Sequence, residues 1–164
     1  MVYPRITKVG EQDELVNERQ MVGYKEHMSQ KHRILFLNGV IGVRCATCGR
    51  GEMDLQNFLL TFDSPEINPN HDPIKIFINS PGGDIDTTFL LIDTMKLIQS
   101  PTITIGCFCA SAASLILASG KKRYLFPHAK TMLHLATGQM GGDYKDFAIQ
   151  HKLMVNYQNK IVDI

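Results

Sequence analysis

The sequence has no tryptophan, no long apolar run and no block of like charge. Seventeen basic and sixteen acidic residues leave a formal net charge of +1, so the overall charge does not favour a nucleic-acid partner. No run reaches the roughly 18 apolar residues that a membrane-spanning helix requires, and the N-terminus is polar and charged, unlike a signal peptide. These absences predict a soluble, cytoplasmic protein without a nucleic-acid or membrane partner.

Cysteine is also scarce, with four residues in the chain. Cys45 and Cys48 have the spacing of half a zinc knuckle, but a zinc site needs two further ligands. Cys107 and Cys109 lie in a tightly packed apolar segment, and their spacing is unsuited to zinc. A chain of this length can build its core without disulfides. We therefore predict no metal site and reduced thiols.

The composition that remains is that of a single globular domain, with a hydrophobic fraction of 44% over 164 residues. Residues 1–30 carry scattered charge with little periodicity and are predicted to form an arm, which leaves residues 31–164 as the domain. β-branched runs alternate with segments of helical periodicity, which predicts an α/β fold with mainly parallel strands. The predicted strands lie within 32–43, 74–79, 102–105, 124–126 and 131–134, and the predicted helices within 53–62, 83–99, 110–119 and 143–164. Asp143 is the predicted N-cap of the last helix.

One predicted strand-to-helix junction, residues 79–84, has the sequence NSPGGD. Two glycines there, Gly82 and Gly83, expose backbone N–H groups that can face an anionic group. The alternative is a tight turn with no part in chemistry. A phosphate-binding loop is disfavoured, because neither G-x-G-x-x-G nor the Walker lysine pattern is present.

A second junction places Ser111 at the start of a buried helix, among small residues that leave room for a substrate carbonyl. The N–H of Ala112 is then expected at the helix N-terminus, where developing negative charge is stabilised. The alternative is that Ser111 simply caps the helix. His134 ends an apolar β-run 23 residues later. A nucleophile and a base in one α/β domain form the constellation that acyl transfer needs.

Five segments together resemble, in order, the proteolytic subunit of Clp protease, and the resemblance covers residues 30–164. The segments are RILFLNGVI, IFINSPGGDIDTTFLLIDTMKLIQSP, CASAASLILASGKKRYLFPHAKTMLH, GQMGGD and the long final helix. Two of the motifs are specific: INSPGG before a helix with Asp-Thr-Met, and LxLASGxKRYxxPHAxxMxH.

The resemblance implies a fold and four functional residues. The fold is the Clp–crotonase superhelix of ββα units with a projecting handle helix. Ser111 matches the family's nucleophile and His134 its general base, while Gly83 and Ala112 match the two N–H donors of the oxyanion hole. We accordingly expect Gly83→Val to abolish peptide hydrolysis and to leave the fold largely intact.

The resemblance also implies an assembly. Family members stack two heptameric rings into a tetradecamer around a degradation chamber, and an AAA+ unfoldase feeds unfolded protein into it. ATP is used by the unfoldase, so no cofactor is expected on this chain, and the location is the cytoplasm or an organelle of bacterial origin. An apolar stripe on the final helix, which includes Phe147, Ile149 and Val155, is expected to be exposed for association, although the helix could instead bury it against its own domain.

The chain departs from the family pattern in three places. Residues 107–113 read CFCASAA where the family has GQAASMG, and Leu135-Ala136 replace Gln-Pro after the histidine. The family's triad aspartate lies beyond the final helix, and Asp163 comes too early to take that role. The chain is therefore part of a longer polypeptide, or a partner supplies the carboxylate, or the protein is a weak or inactive subunit that assembles with active ones.

Another class of function within the same fold group is a Ser–Lys signal-peptide peptidase or an acyl-CoA-processing enzyme. A Ser–Lys site would recruit Lys121, Lys122 or Lys130, all three of which have the sequence context of solvated loop charges. The sequence therefore favours a serine endopeptidase subunit over this class.

Overall fold

The structure, a computed structural model, describes residues 32–43 and 52–164. The predicted arm at 1–30 and the half zinc knuckle of Cys45 and Cys48 lie outside the described residues. Strands and helices alternate along the described chain. They are β1 (Ile34–Ile41), α1 (Glu52–Asp63), β2 (Ile74–Gly83), α2 (Ile85–Leu97), β3 (Thr102–Ala110), α3 (Ala112–Ser119), β4 (Lys122–Met132) and α4 (Tyr144–Val162).

The four strands form one sheet in the order β1-β2-β3-β4, and every neighbouring pair is parallel. Parallel neighbours need a crossover between them, and α1, α2 and α3 supply the crossovers in turn. The predicted α/β class with parallel strands is thereby confirmed. The carboxyl ends of β2, β3 and β4 meet at one edge of the sheet, which is where open parallel sheets place their ligands.

The core lies between one face of the sheet and the helices α1 to α3. Alternate residues of β2 are buried, among them Ile74, Ile76 and Ile78, while Lys75 between them is exposed. Leu59 of α1, Leu91 and Ile92 of α2 and Ile116 of α3 complete this layer, each at most 1% exposed. Burying aliphatic side chains of this size supplies about 1.5–3 kcal/mol each, so this layer carries most of the stability.

The opposite face of the sheet is open and aromatic. The Phe36 and Phe77 rings stack with centroids 5.6 Å apart, and the Phe77 and Phe126 centroids lie 6.5 Å apart. No helix of the described residues packs on these rings, and Phe36 and Phe126 remain 44% and 48% exposed. The helices of the described residues therefore cover one side of the sheet only.

Two predicted strands, 124–126 and 131–134, form the single strand β4, so the predicted break at Pro127 is wrong. Leu125 pairs with Gly106, and the next paired residue, Lys130, faces Phe108. The four residues between Leu125 and Lys130 thus bulge out of the ladder and accommodate Pro127, which has no N–H to donate. His134 follows the end of β4 by two residues rather than ending a strand.

Helix α4 begins at a capping box in which the Asp143 side chain accepts from the Lys145 and Asp146 amides, as Asp143 was predicted to do. None of the residues of α4 is buried, and its apolar side chains Phe147, Ile149 and Val155 are 45%, 59% and 43% exposed. The alternative in which this helix buries its stripe against its own domain is therefore wrong for Phe147, Ile149 and Val155, although Ile161 near the end of the helix packs against the core. Within the described ranges, no helix is both long and apolar enough to cross a bilayer.

Candidate active site

Ser111 occupies the junction between β3 and α3 in a strained backbone conformation. Its φ of 55° and ψ of −127° lie in a region that costs a residue with a side chain about 1–3 kcal/mol. The strain is held in place by the Ser111 N–H, which donates to the Met132 carbonyl at the end of β4 over 2.7 Å. Such strain concentrates at functional junctions, because it aims a side chain away from the element that follows.

The Ser111 hydroxyl makes no capping bond to α3, so the simple capping alternative is wrong. It lies 2.8 Å from Nε2 of His134, within hydrogen-bond distance. His134 is exposed to solvent. The structure therefore brings the two sequence-predicted residues together across the edge shared by β3 and β4.

Ser114, one turn further along α3, contributes hydrogen bonds to the same junction. Its hydroxyl lies 2.8 Å from the Cys109 carbonyl and 2.9 Å from the Met132 carbonyl, so it can donate to either. The Met132 carbonyl accepts the Ser111 N–H and can also accept the Ser114 hydroxyl, and these contacts join the ends of β3 and β4 beside the serine. Sequence reasoning missed this role of Ser114, because a serine in a run of small residues has no distinguishing pattern.

Gly82, the residue before the predicted donor Gly83, is the glycine whose backbone contacts the serine. A Cβ on Gly82 would lie 2.6 Å from the Ala110 carbonyl and 2.8 Å from the Ser111 Cβ, and its φ is +94°. The glycine allows the turn to approach the serine closely. The Gly82 N–H donates to Ser80 Oγ over 3.1 Å and is therefore occupied.

Gly83 pairs with Ile41 of β1 and continues β2, where the sequence predicted a turn. A Cβ at Gly83 would overlap the Ile41 backbone, and the φ of Gly83 is +149°. The expectation that Gly83→Val leaves the fold largely intact is therefore wrong, because the added side chain would part β1 from β2. Ala112, the other predicted donor, is buried as the first residue of α3.

The second ring nitrogen of His134, Nδ1, has no hydrogen-bond partner among the described residues, and no described carboxylate reaches it. Asp163 caps the far end of α4, where its N–H donates to the Lys160 carbonyl. The three lysines of the Ser–Lys alternative are exposed, and the partner of Ser111 is His134. The geometry thus favours a serine–histidine pair over a Ser–Lys site.

Cys109 lies two residues before the serine and is fully buried. Burial, with a smaller contribution from nearby Cys107, raises the pKa of its thiol to about 11, and a hydrogen bond from the Cys107 backbone offsets part of the rise. At neutral pH Cys109 is therefore a thiol and a poor nucleophile. Among the described residues, no group of three or more histidine, cysteine, aspartate or glutamate side chains could hold a metal ion.

The parallel sheet, the strained serine at a strand-to-helix junction and the histidine 2.8 Å away define an α/β protein with a serine–histidine pair of the hydrolase type. A family model described as Clp protease matches residues 24–164. The chain belongs to the Clp protease family.

Individual relatives agree with this assignment. The chain is 31% identical over 137 residues to ATP-dependent Clp protease proteolytic subunit 2 of Tropheryma whipplei, a match that covers 82% of this chain and 71% of the relative. It is 35% identical to proteolytic subunit 1 of Rhodopirellula baltica over 56% of this chain and 41% of the relative. It is 33% identical to the chloroplastic subunit 4 of Arabidopsis thaliana over 82% of this chain and 44% of the relative. The chain spans about half the length of several of these relatives.

Proposed function

We propose that the chain is a serine endopeptidase subunit of an ATP-dependent Clp-type protease, which hydrolyses peptide bonds of unfolded proteins in a closed chamber. The observation that carries the proposal is the 2.8 Å approach of Ser111 Oγ to His134 Nε2 in a chain of the Clp protease family. The names of the relatives, all proteolytic subunits of ATP-dependent Clp proteases, support the same activity.

In this proposal Ser111 Oγ attacks the carbonyl carbon of a peptide bond while His134 Nε2 accepts the hydroxyl proton. The imidazolium then donates that proton to the leaving amine, and the acyl group remains esterified to Ser111. Water, deprotonated by the same nitrogen, releases the acid and restores the serine. The exposure of His134 is compatible with a substrate that arrives as an extended, unfolded chain.

The oxyanion of each tetrahedral intermediate requires N–H donors near Ser111, and we assign them to Ala112 and Gly83. The Ala112 amide lies in the first turn of α3, where N–H groups have no partner within the helix. The amide that follows Gly83, that of Asp84, donates to Ile41 on the β1 side over 3.0 Å. Because successive amides of extended backbone alternate in direction, the Gly83 N–H is expected to face β3 and the serine.

A complete triad also needs a carboxylate at His134 Nδ1, and loss of that group in other triads lowers kcat by about 10⁴-fold. We propose that it comes from outside the described residues, either from further polypeptide or from a partner subunit. The alternative proposal, a weak or inactive structural subunit that assembles with active ones, is less favoured. A subunit with no chemistry to perform has no need for the strained serine and the aligned histidine.

The proposed assembly is a heptameric ring, stacked in pairs as a tetradecamer, which receives substrate from an AAA+ unfoldase. ATP is consumed by that partner and no cofactor is assigned to this chain. The exposed apolar side chains of α4 and of β4, such as Ile149, Leu125 and Met132, support association, since contiguous exposed apolar surface usually marks an interface. We place the assembly in the cytoplasm or in an organelle of bacterial origin, with no nucleic-acid or membrane partner.

A fluorophosphonate probe tests the proposal, because it labels only a serine that is activated by a base. We expect the assembled protein to be labelled and labelling to disappear in Ser111→Ala and His134→Ala. Ser119→Ala is the matched control, since Ser119 lies on the same helix and donates only to the Leu115 carbonyl. Labelling that survives Ser111→Ala would contradict the assigned nucleophile, and an unlabelled assembled protein would favour the inactive subunit.

Light scattering tests the assembly separately from the chemistry. We expect a particle of ring size from the purified protein. A stable monomer of 18.4 kDa at micromolar concentration would contradict the chamber.

A further inference from the structure

The residues that follow the candidate base form an extended segment without helix or strand, residues 133–142, here called the histidine segment. Apart from the contact of His134 with Ser111, its hydrogen bonds to other described residues all go to two glutamines of α4. The Ala136 N–H donates to Gln158 Oε1 over 3.0 Å. The Gly141 N–H donates to Gln150 Oε1 over 3.1 Å, and Gln150 Nε2 donates back to the Gly141 carbonyl over 2.7 Å.

These contacts show that the histidine segment runs antiparallel to α4. Ala136 lies beside Gln158, Gly138 beside Met154 and Gly141 beside Gln150. A Cβ on Gly138 would approach the Met154 methyl to 2.7 Å, so the backbone lies directly on the helix. The position of the segment, and of His134 at its start, therefore depends on α4.

The two glutamines sit on halves of α4 that are anchored very differently. Beside Gln158, the Tyr157 hydroxyl donates to Asp86 of α2 over 2.9 Å, and its ring centroid lies 6.2 Å from that of Phe89. Lys160 lies over the same Phe89 ring, 5.5 Å from its centroid, and Ile161 packs against the core. Because this half of α4 is tied to α2, Gln158 is held relative to the rest of the site.

Gln150 lies on the half of α4 that projects from the domain. The residues around it, Phe147, Ile149 and Leu153, are 45%, 59% and 48% exposed. Its bonds to Gly141 therefore fasten the far end of the histidine segment to a part of α4 that has no anchor among the described residues. Gln150 offers the same chemistry as Gln158 without the rigid connection to α2.

We propose that Gln158 is a positioning residue for the catalytic base: its acceptor bond to Ala136, two residues after His134, holds the imidazole at hydrogen-bond distance from Ser111. The inference rests on the proposed function, since it concerns the same serine–histidine pair. Gln158 touches neither substrate nor reacting atoms and acts only through the backbone. Enzymes require such support because a displacement of about 1 Å at a reacting group can cost about 10²-fold in rate.

The test compares Gln158→Met, Gln158→Glu and the matched control Gln150→Met in the assembled protein. Methionine keeps the length of glutamine and removes the acceptor, whereas glutamate keeps an oxygen that accepts the Ala136 N–H. We expect Gln158→Met to lower kcat by about 10-fold with KM nearly unchanged, because the loss falls on the transition state. Gln158→Glu should retain the wild-type kcat, and Gln150→Met should lower it by less than about 2-fold.

A second measurement does not depend on activity. Amide hydrogen exchange at Ala136 should accelerate in Gln158→Met and not in Gln150→Met, and the ¹⁵N shift of His134 Nε2 should move only in the former. These readouts separate positioning from a general loss of stability, which would accelerate exchange in the β2 amides as well.

The outcomes separate this inference from the proposed function. If His134→Ala abolishes turnover while Gln158→Met retains the wild-type kcat, the function stands and the positioning role is wrong. If His134→Ala turns over normally, the proposed function is wrong. In that case the ¹⁵N shift of His134 still tests whether Gln158 positions the imidazole, and an unchanged shift in Gln158→Met overturns the positioning role.

Discussion

The two halves of this molecule differ in how their structure is held. The layer formed by β1 to β3 with α1 to α3 has side chains such as Leu59, Ile74 and Ile78 at 0% exposure. In contrast, every residue of β4 is exposed except Ala129, which is partly buried, and α4 has no buried residue. The serine comes from the first half and the histidine from the second. The proposed nucleophile is thus positioned by a packed core, and the proposed base by individual hydrogen bonds.

The largest effect should come from removing either member of the pair. Ser111→Ala and His134→Ala should each lower kcat by about 10⁴- to 10⁶-fold, since a serine and its base act as one unit. For the same reason the double variant should be no slower than the slower single variant. Single-turnover peptide hydrolysis on the assembled protein measures this. Additive losses would mean that the two halves contribute to catalysis independently.

Truncation of an apolar side chain should lower the free energy of unfolding much more in the packed half than in the exposed half. Ile76→Ala removes a fully buried side chain of β2 and should cost about 2–5 kcal/mol of unfolding free energy. Leu135→Ala, at a position that is 71% exposed, should change it by less than about 0.5 kcal/mol. Denaturant unfolding of the two variants gives the comparison. Equal losses would show that the histidine segment is packed in solution.

Low pH should destabilise the layer formed by β1 to β3 with α1 to α3, because the Asp63 carboxyl at the end of α1 becomes protonated. Burial raises the pKa of this carboxyl, but hydrogen bonds from Ser100, Gln99 and His71 outweigh it, so the net shift is downward. A lowered folded-state pKa stabilises the protein above the unfolded value near 3.8, and this contribution is lost as the pH falls through the folded pKa.

Replacing Asp63 with asparagine tests this acid dependence. Asp63→Asn should cost about 2 kcal/mol at neutral pH, because it weakens charge-assisted hydrogen bonds to the Gln99 and Ser100 amides. The variant should also lose less unfolding free energy than the wild type as the pH falls below about 4. Urea unfolding between pH 2.5 and 7 measures both effects. Identical pH profiles for variant and wild type would contradict the role of Asp63.

The smallest expected effect concerns the strain at Ser111. Glycine adopts positive φ without penalty, so Ser111→Gly should be more stable than Ser111→Ala by about 1 kcal/mol. Thermal unfolding of this pair isolates the backbone contribution, because both variants lack the hydroxyl. Equal melting temperatures would indicate that the strain is relaxed in solution.

Local signals in the sequence predicted the parts of the structure that depend on neighbouring residues. The order of strands and helices, the Asp143 cap and the serine-to-histidine arrangement all follow from short patterns or from motif resemblance. The sequence did not predict what depends on register between distant segments. Pro127 led to the prediction of two separate strands, but a bulge opposite Gly106 and Phe108 accommodates the proline within one strand.

The contacts of single side chains were equally beyond prediction. The link from Gln158 to Ala136 joins residues 22 apart in sequence, and neither residue type signals a partner. The close contact of Gly82 with Ser111 depends on the path of the backbone after Ser80, which two adjacent glycines leave undetermined. These contacts depend on the three-dimensional path of the chain, which short sequence patterns do not specify.

The strained backbone of Ser111 has a consequence for biosynthesis. The Met132 carbonyl that holds Ser111 in this conformation, and His134 itself, are translated after the serine. A nascent chain that has reached only residue 120 has nothing to hold its serine at positive φ, so Ser111 relaxes to an ordinary turn conformation. The proposed serine–histidine pair therefore cannot form on the ribosome until β4 has joined the sheet.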